Sequence, residues 1–175
     1  MKDSIEYRLI SAYYGDRKAR RSQVPLINHI DEGLTILDAI SATEHSKRAF
    51  CLHPLLQNDA DLKGNFPLVA ASTDAHTMML AMEYRSVANE FLSDKIPSHR
   101  WREIRLSPLF EVNEMLVADK VQNMKDFMTY HYGVHERSDE LLEYFEKWLS
   151  ALDINKDTYQ RFCERIDKEK ALTPS

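Results

Sequence analysis

The stretch AFCLHPLLQND, residues 49–59, puts His53 near the end of an apolar segment and Pro54 directly behind it. Ala49, Phe50 and Leu52 follow Thr43, a residue suited to capping a helix start, so the segment reads as a buried helix. Proline has no backbone N–H and disfavours helical backbone in the residue before it. The helix is therefore expected to end or kink at His53. The following residues, QNDADLKGNFP (57–67), are rich in turn formers, close on a proline and read as a loop.

Helical spacing continues outward in both directions. Ile5, Leu9, Ile10 and Tyr13 mark a first helix ending near Gly15, and the loop RKARRSQVP (17–25) leads to a second carrying Ile30, Leu34, Leu37 and Ile40. Downstream, Thr73 is the expected N-cap of a long helix through Met78, Met82, Tyr84, Val87 and Phe91. Another begins near Pro108 and carries Val112, Met115, Leu116 and Met124. Ser138 is the expected cap of a helix with Leu141, Phe145, Trp148 and Leu149. Asn155 or Asp157 opens the last, through Tyr159, Phe162 and Ile166, and the tail ALTPS is expected to be disordered. The methionines at 78, 79, 82, 115, 124 and 128 read as core filler. With only 4 glycines and almost no strand-like alternation, the fold class is all-α. One helical domain over 1–152, with the C-terminal helix of 153–175 packed on it, is the expected organisation.

A chain of 175 residues with 43% hydrophobic and 29% charged residues can bury a real core. A formal net charge of -5 argues against general nucleic-acid binding, which needs a dense basic surface. Cys51 and Cys163 form no CxxC pair, which argues against a disulfide framework or thiolate zinc site and fits a reducing, cytoplasmic setting. MKDSIEYRLI lacks the apolar core of a signal peptide, and no run approaches the ~18 apolar residues of a membrane span. Oligomeric state is not legible.

Three polar residues stand in apolar helical context. His29 follows the proline turn of VPLINHI (24–30), His53 ends AFCLH, and Asp119 lies within LVADKVQN (116–123), with Asn123 one turn on. A carboxylate among Val117, Ala118 and Val121 is costly to bury unless paired, hydrogen-bonded or metal-bound. Two imidazoles and a carboxylate can make an incomplete site for a divalent transition metal. Equally, each histidine can be a hydrogen-bonded structural residue and Asp119 an ordinary surface or paired acid. HYGVH (131–135) reads as a loop because of Gly133, and His45, His76 and His99 read as surface residues. SHRWREIRLSP (98–108) gathers Arg100, Arg102 and Arg105 around Trp101. It is either a phosphate- or base-binding patch or an amphipathic turn with its Trp packed inward.

Taken together, RRSQVPLINHI (20–30), AFCLHPLLQND (49–59), MLVADKVQNMKDF (115–127) and ELLEYFEKWLSAL (140–152) resemble, in order, four motifs of the HD superfamily of metal-dependent phosphohydrolases. The similarity is closest to the small alarmone hydrolases, which act on guanosine tetraphosphate, and to SpoT-type hydrolase domains. Those proteins carry PYINHP, LLHDTVED, KLADKLYNLRDL and EYFEW. The resemblance covers about Ile5 to Leu152 and implies an HD-like helical bundle that binds a nucleotide or other phosphorylated small molecule. It implies His29, His53 and Asp119 as ligands of a divalent metal (manganese, iron, zinc or another). It also implies Asn123, Arg20 and Arg21 as substrate contacts, guanidinium forks being suited to phosphate oxygens.

The departures from the family concern the chemistry. Pro54 stands at the family's second metal-binding aspartate, and Gln57 and Asn58 stand at its catalytic Glu-Asp pair. Leu26 and Gln122 replace two tyrosines. Amides hydrogen-bond but do not serve as general bases at neutral pH. Asp59 and Asp61 are the nearby carboxylates that can substitute. Two functions follow as expectations: a phosphohydrolase with a remodelled metal site, or a catalytically silent HD-like protein that binds a nucleotide or a partner protein.

Overall fold

The computed structural model describes residues 1–20, 22–93 and 98–172, those at 98, 99 and 102 by backbone alone. Among them are eight α-helices and no strand: α1 (Ile5–Tyr14), α2 (Ile27–Ala39), α3 (Glu44–Leu56), α4 (Asp59–Ser72), α5 (Ala75–Glu90), α6 (Phe110–Tyr130), α7 (Ser138–Ala151) and α8 (Lys156–Leu172), with a 3₁₀ turn at Ser98–Glu103. The chain is an all-α helical bundle. None of the described helices is long and apolar enough to cross a membrane.

Side-chain caps start most of these helices. Ser4, Thr43, Asn58 and Asp74 each accept a hydrogen bond from the backbone N–H three residues on, as does Asn155 from Thr158. Each such cap is worth about 1 kcal/mol. Thr73 is not the cap expected of it: Asp74 takes that place, and the Thr73 hydroxyl donates to Glu6 at 2.8 Å. Ser138 likewise lies inside the first turn of α7, its hydroxyl donating to the His135 carbonyl at 2.6 Å.

The segment expected as a loop after His53 is helical. The turn formers of QNDADLKGNFP sit where a helix start uses them: Asn58 caps α4, and Asp59 and Asp61 occupy its positively polarised first turn. Val69, fully buried, and Leu62 anchor α4 to the core. The expected break at His53 is also absent, because α3 runs through Pro54 to Leu56. At the other end, Ala171 and Leu172 belong to α8, while 173–175 lie outside the described residues.

Helix α3 is the centre of the core. Ala49, Phe50, Cys51, Leu52, Leu55 and Leu56 are buried, and the helix packs on α1, α2, α4, α5 and α6. Met115 and Met124 are core residues, but Met79 and Met128 are exposed at 47% and 40%, so not every methionine fills the interior. Trp101 is buried and meets the Tyr144 ring edge-on at 5.2 Å, while Arg100 and Arg105 pair with Glu103 and Glu90. The inward-packed reading of that segment therefore holds for its described side chains, and the side chain of Arg102 lies outside them. Helix α8 lies on α2 and α6 through Ile166.

Candidate metal centre and its cleft

Helices α2, α3 and α6 each contribute one donor to a common point. His29 sits in the first turn of α2, His53 near the end of α3 and Asp119 midway along α6. The close approach of α2 to α3 depends on Gly33, one turn after His29. A Cβ built there would fall 2.2 Å from the Phe50 ring, which seats on the bare glycine. Phe50 in turn packs against both imidazoles, with ring centroids 5.7 Å from His29 and 4.7 Å from His53.

The two Nε2 atoms face each other at 3.2 Å, and Asp119 Oδ1 lies 3.6 Å from that of His29 and 3.9 Å from that of His53. His53 and Asp119 are buried, and His29 opens partly to solvent. The three residues can hold a metal ion.

The outer nitrogens decide what these inner ones are. His53 Nδ1 lies 2.6 Å from the Phe50 carbonyl, which only accepts, so the proton is on Nδ1 and Nε2 is a bare lone pair. That carbonyl is available because of Pro54. In a regular helix the N–H of residue 54 would bond to the carbonyl of residue 50, and proline has no N–H to give. His29 Nδ1 lies 2.6 Å from Gln122 Oε1. The Gln122 amide is oriented by its NH₂ group, which donates to Asp126 at 2.8 Å and Glu32 at 3.3 Å, leaving Oε1 for the imidazole N–H. Both histidines therefore aim lone pairs at one small volume, an arrangement that repels itself until a cation occupies it. Burial and the neighbouring His29 push the His53 pKa down to about 3, keeping it neutral.

Asp119 is ionised in this setting. Burial alone would raise its pKa, but the charge and hydrogen bond of Lys120 outweigh this and hold it well below the carboxylate range. Its Oδ2 pairs with the Lys120 ammonium at 2.9 Å, and Oδ1 accepts from Asn123 at 2.8 Å. Lys120 is itself buried and lies 4.8 Å over the Trp148 ring. Tyr84, whose ring is 4.9 Å from His53, is also buried, and burial and the Asp119 charge push its phenol pKa up.

A cleft of about 520 Å³ opens over the three donors, lined by Tyr13, Tyr14 and Arg17 on one side and by Pro54, Gln57, Asn58, Asp61, Asn123 and Asp126 on others. Of the carboxylates expected to substitute for the family's acid pair, Asp61 lines the cleft and accepts from the Tyr13 hydroxyl at 2.7 Å. Asp59 faces away, exposed and paired with Arg85. Gln57 and Asn58 have structural tasks: Gln57 donates to Asn89 at 2.5 Å, and Asn58 caps α4. Arg20 is exposed and does not line the cleft, and Arg21 lies outside the described residues. The basic loop instead sends Arg17 into the cleft, its guanidinium 4.5 Å over the Tyr13 ring. Sequence reasoning missed Arg17, Tyr13, Tyr14, Tyr84 and Lys120. The one signal available was Lys120 itself, a second charge inside the apolar run LVADKV.

No family model matches the chain, and neither a curated protein nor a solved structure gives a significant match.

Proposed function

We propose that the chain is an HD-type phosphohydrolase that acts on a nucleotide or alarmone through a divalent metal held by His29, His53 and Asp119. The observation carrying this reading is the pair of imidazole Nε2 atoms facing each other at 3.2 Å beside a buried carboxylate, both outer nitrogens lying against acceptors. A purely structural histidine pair would gain by turning one N–H toward the other ring. A bound divalent ion would polarise a phosphoryl oxygen and lower the pKa of water. The chain's own residues supply the rest. Tyr13 and Tyr14 offer ring faces for a base, Arg17 a guanidinium for phosphate oxygens, and Asn123 fixes Asp119 while lining the cleft. Asp61 is the cleft carboxylate placed to accept a proton, a task closed to Gln57 and Asn58.

Binding without turnover is the second reading, and one observation favours it: the residues at the family's acid-base positions are committed to the α4 cap and to Asn89. Metal analysis of the purified protein beside His53→Ala comes first, followed by a nucleotide panel assayed for binding and for phosphate and pyrophosphate release. Turnover that Asp61→Asn abolishes while metal content is retained supports the hydrolase. Metal-dependent nucleotide binding without turnover replaces it with the silent binder. A wild-type protein that takes up no divalent metal refutes the hydrolase and leaves the silent binder of a nucleotide or a partner protein.

A further inference from the structure

Behind His29, on the side away from the cleft, lies a buried carboxylate that the proposed chemistry does not use. Glu32 is one turn along α2 from His29 and only 3% exposed. It accepts from Gln122 Nε2 at 3.3 Å and from Lys125 at 3.2 Å on α6, and its other oxygen pairs with Lys170 on α8. Burial alone would raise its pKa, but the Lys170 hydrogen bond and both lysine charges outweigh this and hold it below the ordinary value. The carboxylate is thus an acceptor only, and so is that of Asp126 when ionised. An amide facing both must turn its NH₂ toward them and its oxygen toward His29.

We propose that Glu32 and Lys170 are positioning residues for the metal centre. Lys170 of the C-terminal helix pins the Glu32 carboxylate, which with Asp126 orients the Gln122 amide, and that amide holds His29 with Nε2 bare toward Asp119. The relay runs through three side chains from α8 to a ligand on α2, so docking of the last helix and readiness of the metal site are one event. Such outer partners set the tautomer of a ligating histidine, and their loss costs about 10–100-fold in metal affinity. The functional meaning of this inference rests on the metal reading; its structural content does not.

The test reads the His29 tautomer in metal-free full-length protein by ¹⁵N NMR of the imidazoles at pH 8, for wild type, Glu32→Ala, Lys170→Met and Lys170→Arg. Wild type is expected to be the Nδ1–H form. Glu32→Ala should populate the Nε2–H form strongly and weaken Mn²⁺ binding, measured calorimetrically, by about tenfold or more. Lys170 is 43% exposed, so Lys170→Met should stay folded and is the deciding variant, expected to show an intermediate tautomer mixture. Lys170→Arg should restore the wild-type spectrum. A role in stability alone would lower the unfolding midpoint without moving the tautomer, and that result overturns the inference. So does an arginine variant that shifts as far as the methionine one. If the tautomer moves as expected in a protein that takes up neither Mn²⁺ nor any other divalent metal, the relay stands and the proposed function falls.

Discussion

Lys120→Met should be among the most destabilising single changes in the protein, and a divalent metal should repair part of it. Lys120 and Asp119 are each about 5% exposed and sit 2.9 Å apart. At an effective dielectric of ~20, two unit charges at that distance attract by about 6 kcal/mol. Removing one partner of a buried pair costs about 3–5 kcal/mol, because the remaining carboxylate stays out of water without compensation. Methionine matches the length of the lysine stem, so the Trp148 packing is largely kept and the loss reports charge. A domain of this size loses roughly 2–4 °C in Tm per kcal/mol, so the expected shift is on the order of 10 °C. Mn²⁺ at about 100 times its Kd stabilises a binding protein by about 2.7 kcal/mol. The gain should be larger in Lys120→Met than in wild type, since the variant's Asp119 has no internal cation. Urea denaturation of both proteins with and without Mn²⁺ decides. A loss below about 1 kcal/mol would refute the buried-pair reasoning, and equal stabilisation by Mn²⁺ would refute the idea that Asp119 serves the metal.

Gly33→Ala should destabilise by about 1–3 kcal/mol in urea through overpacking against Phe50, despite alanine's higher helix propensity, and Phe50→Leu in the same chain should recover most of that loss. Pro54→Ala restores an N–H facing the Phe50 carbonyl and relieves a mid-helix proline, a residue that costs up to about 3 kcal/mol in a helix interior. The urea midpoint should rise while calorimetric Mn²⁺ affinity falls, and unchanged affinity would show that His53 does not need that carbonyl. Burial alone would raise the Glu6 pKa, but the hydrogen bonds from Arg48 at 2.7 Å and Thr73 outweigh it and depress it. Its contribution should be complete above the ordinary carboxylate value of about 4.3 and be lost as pH falls through the depressed one, so the stability gap between wild type and Glu6→Gln should narrow only below about pH 4.

The helices were legible where one face is apolar and the other is not, because a 3.6-residue period leaves a mark on sequence that Thr43 or Asn155 then bounds. Helix α4 left no such mark. Its apolar residues point all round, with Phe66 42% and Leu68 57% exposed, and its Gly64 and Pro67 are conventional helix breakers. Only the cap geometry of Asn58 distinguishes it from a loop, and Asn-Asp is as common in turns as at helix starts. The three residues that could hold a metal were legible because each is a polar residue in apolar surroundings, a contradiction visible locally. Tyr13, Tyr14 and Arg17 contradict nothing where they stand. Their meaning comes from the packing of α1 against α3 and α4, which no local pattern carries.

Pro54 shows why counting lost ligands misjudges this site. Against the pattern the sequence resembles, its side chain offers no carboxylate. Its backbone does something else: by leaving the Phe50 carbonyl without an N–H, it gives His53 the acceptor that fixes its tautomer. The substitution also changes the charge a metal would meet. With no aspartate at 54, the only carboxylate among the three donors is Asp119, already neutralised by Lys120 at 2.9 Å. A divalent cation there would keep nearly its full charge in buried surroundings, where uncompensated charge is costly. The natural remedy is an anionic ligand from the cleft side, and a phosphoryl oxygen is such a ligand. In the function proposed, the missing aspartate therefore transfers part of the metal's binding from the protein to its substrate. Metal and phosphorylated ligand should then bind cooperatively, each tightening the other.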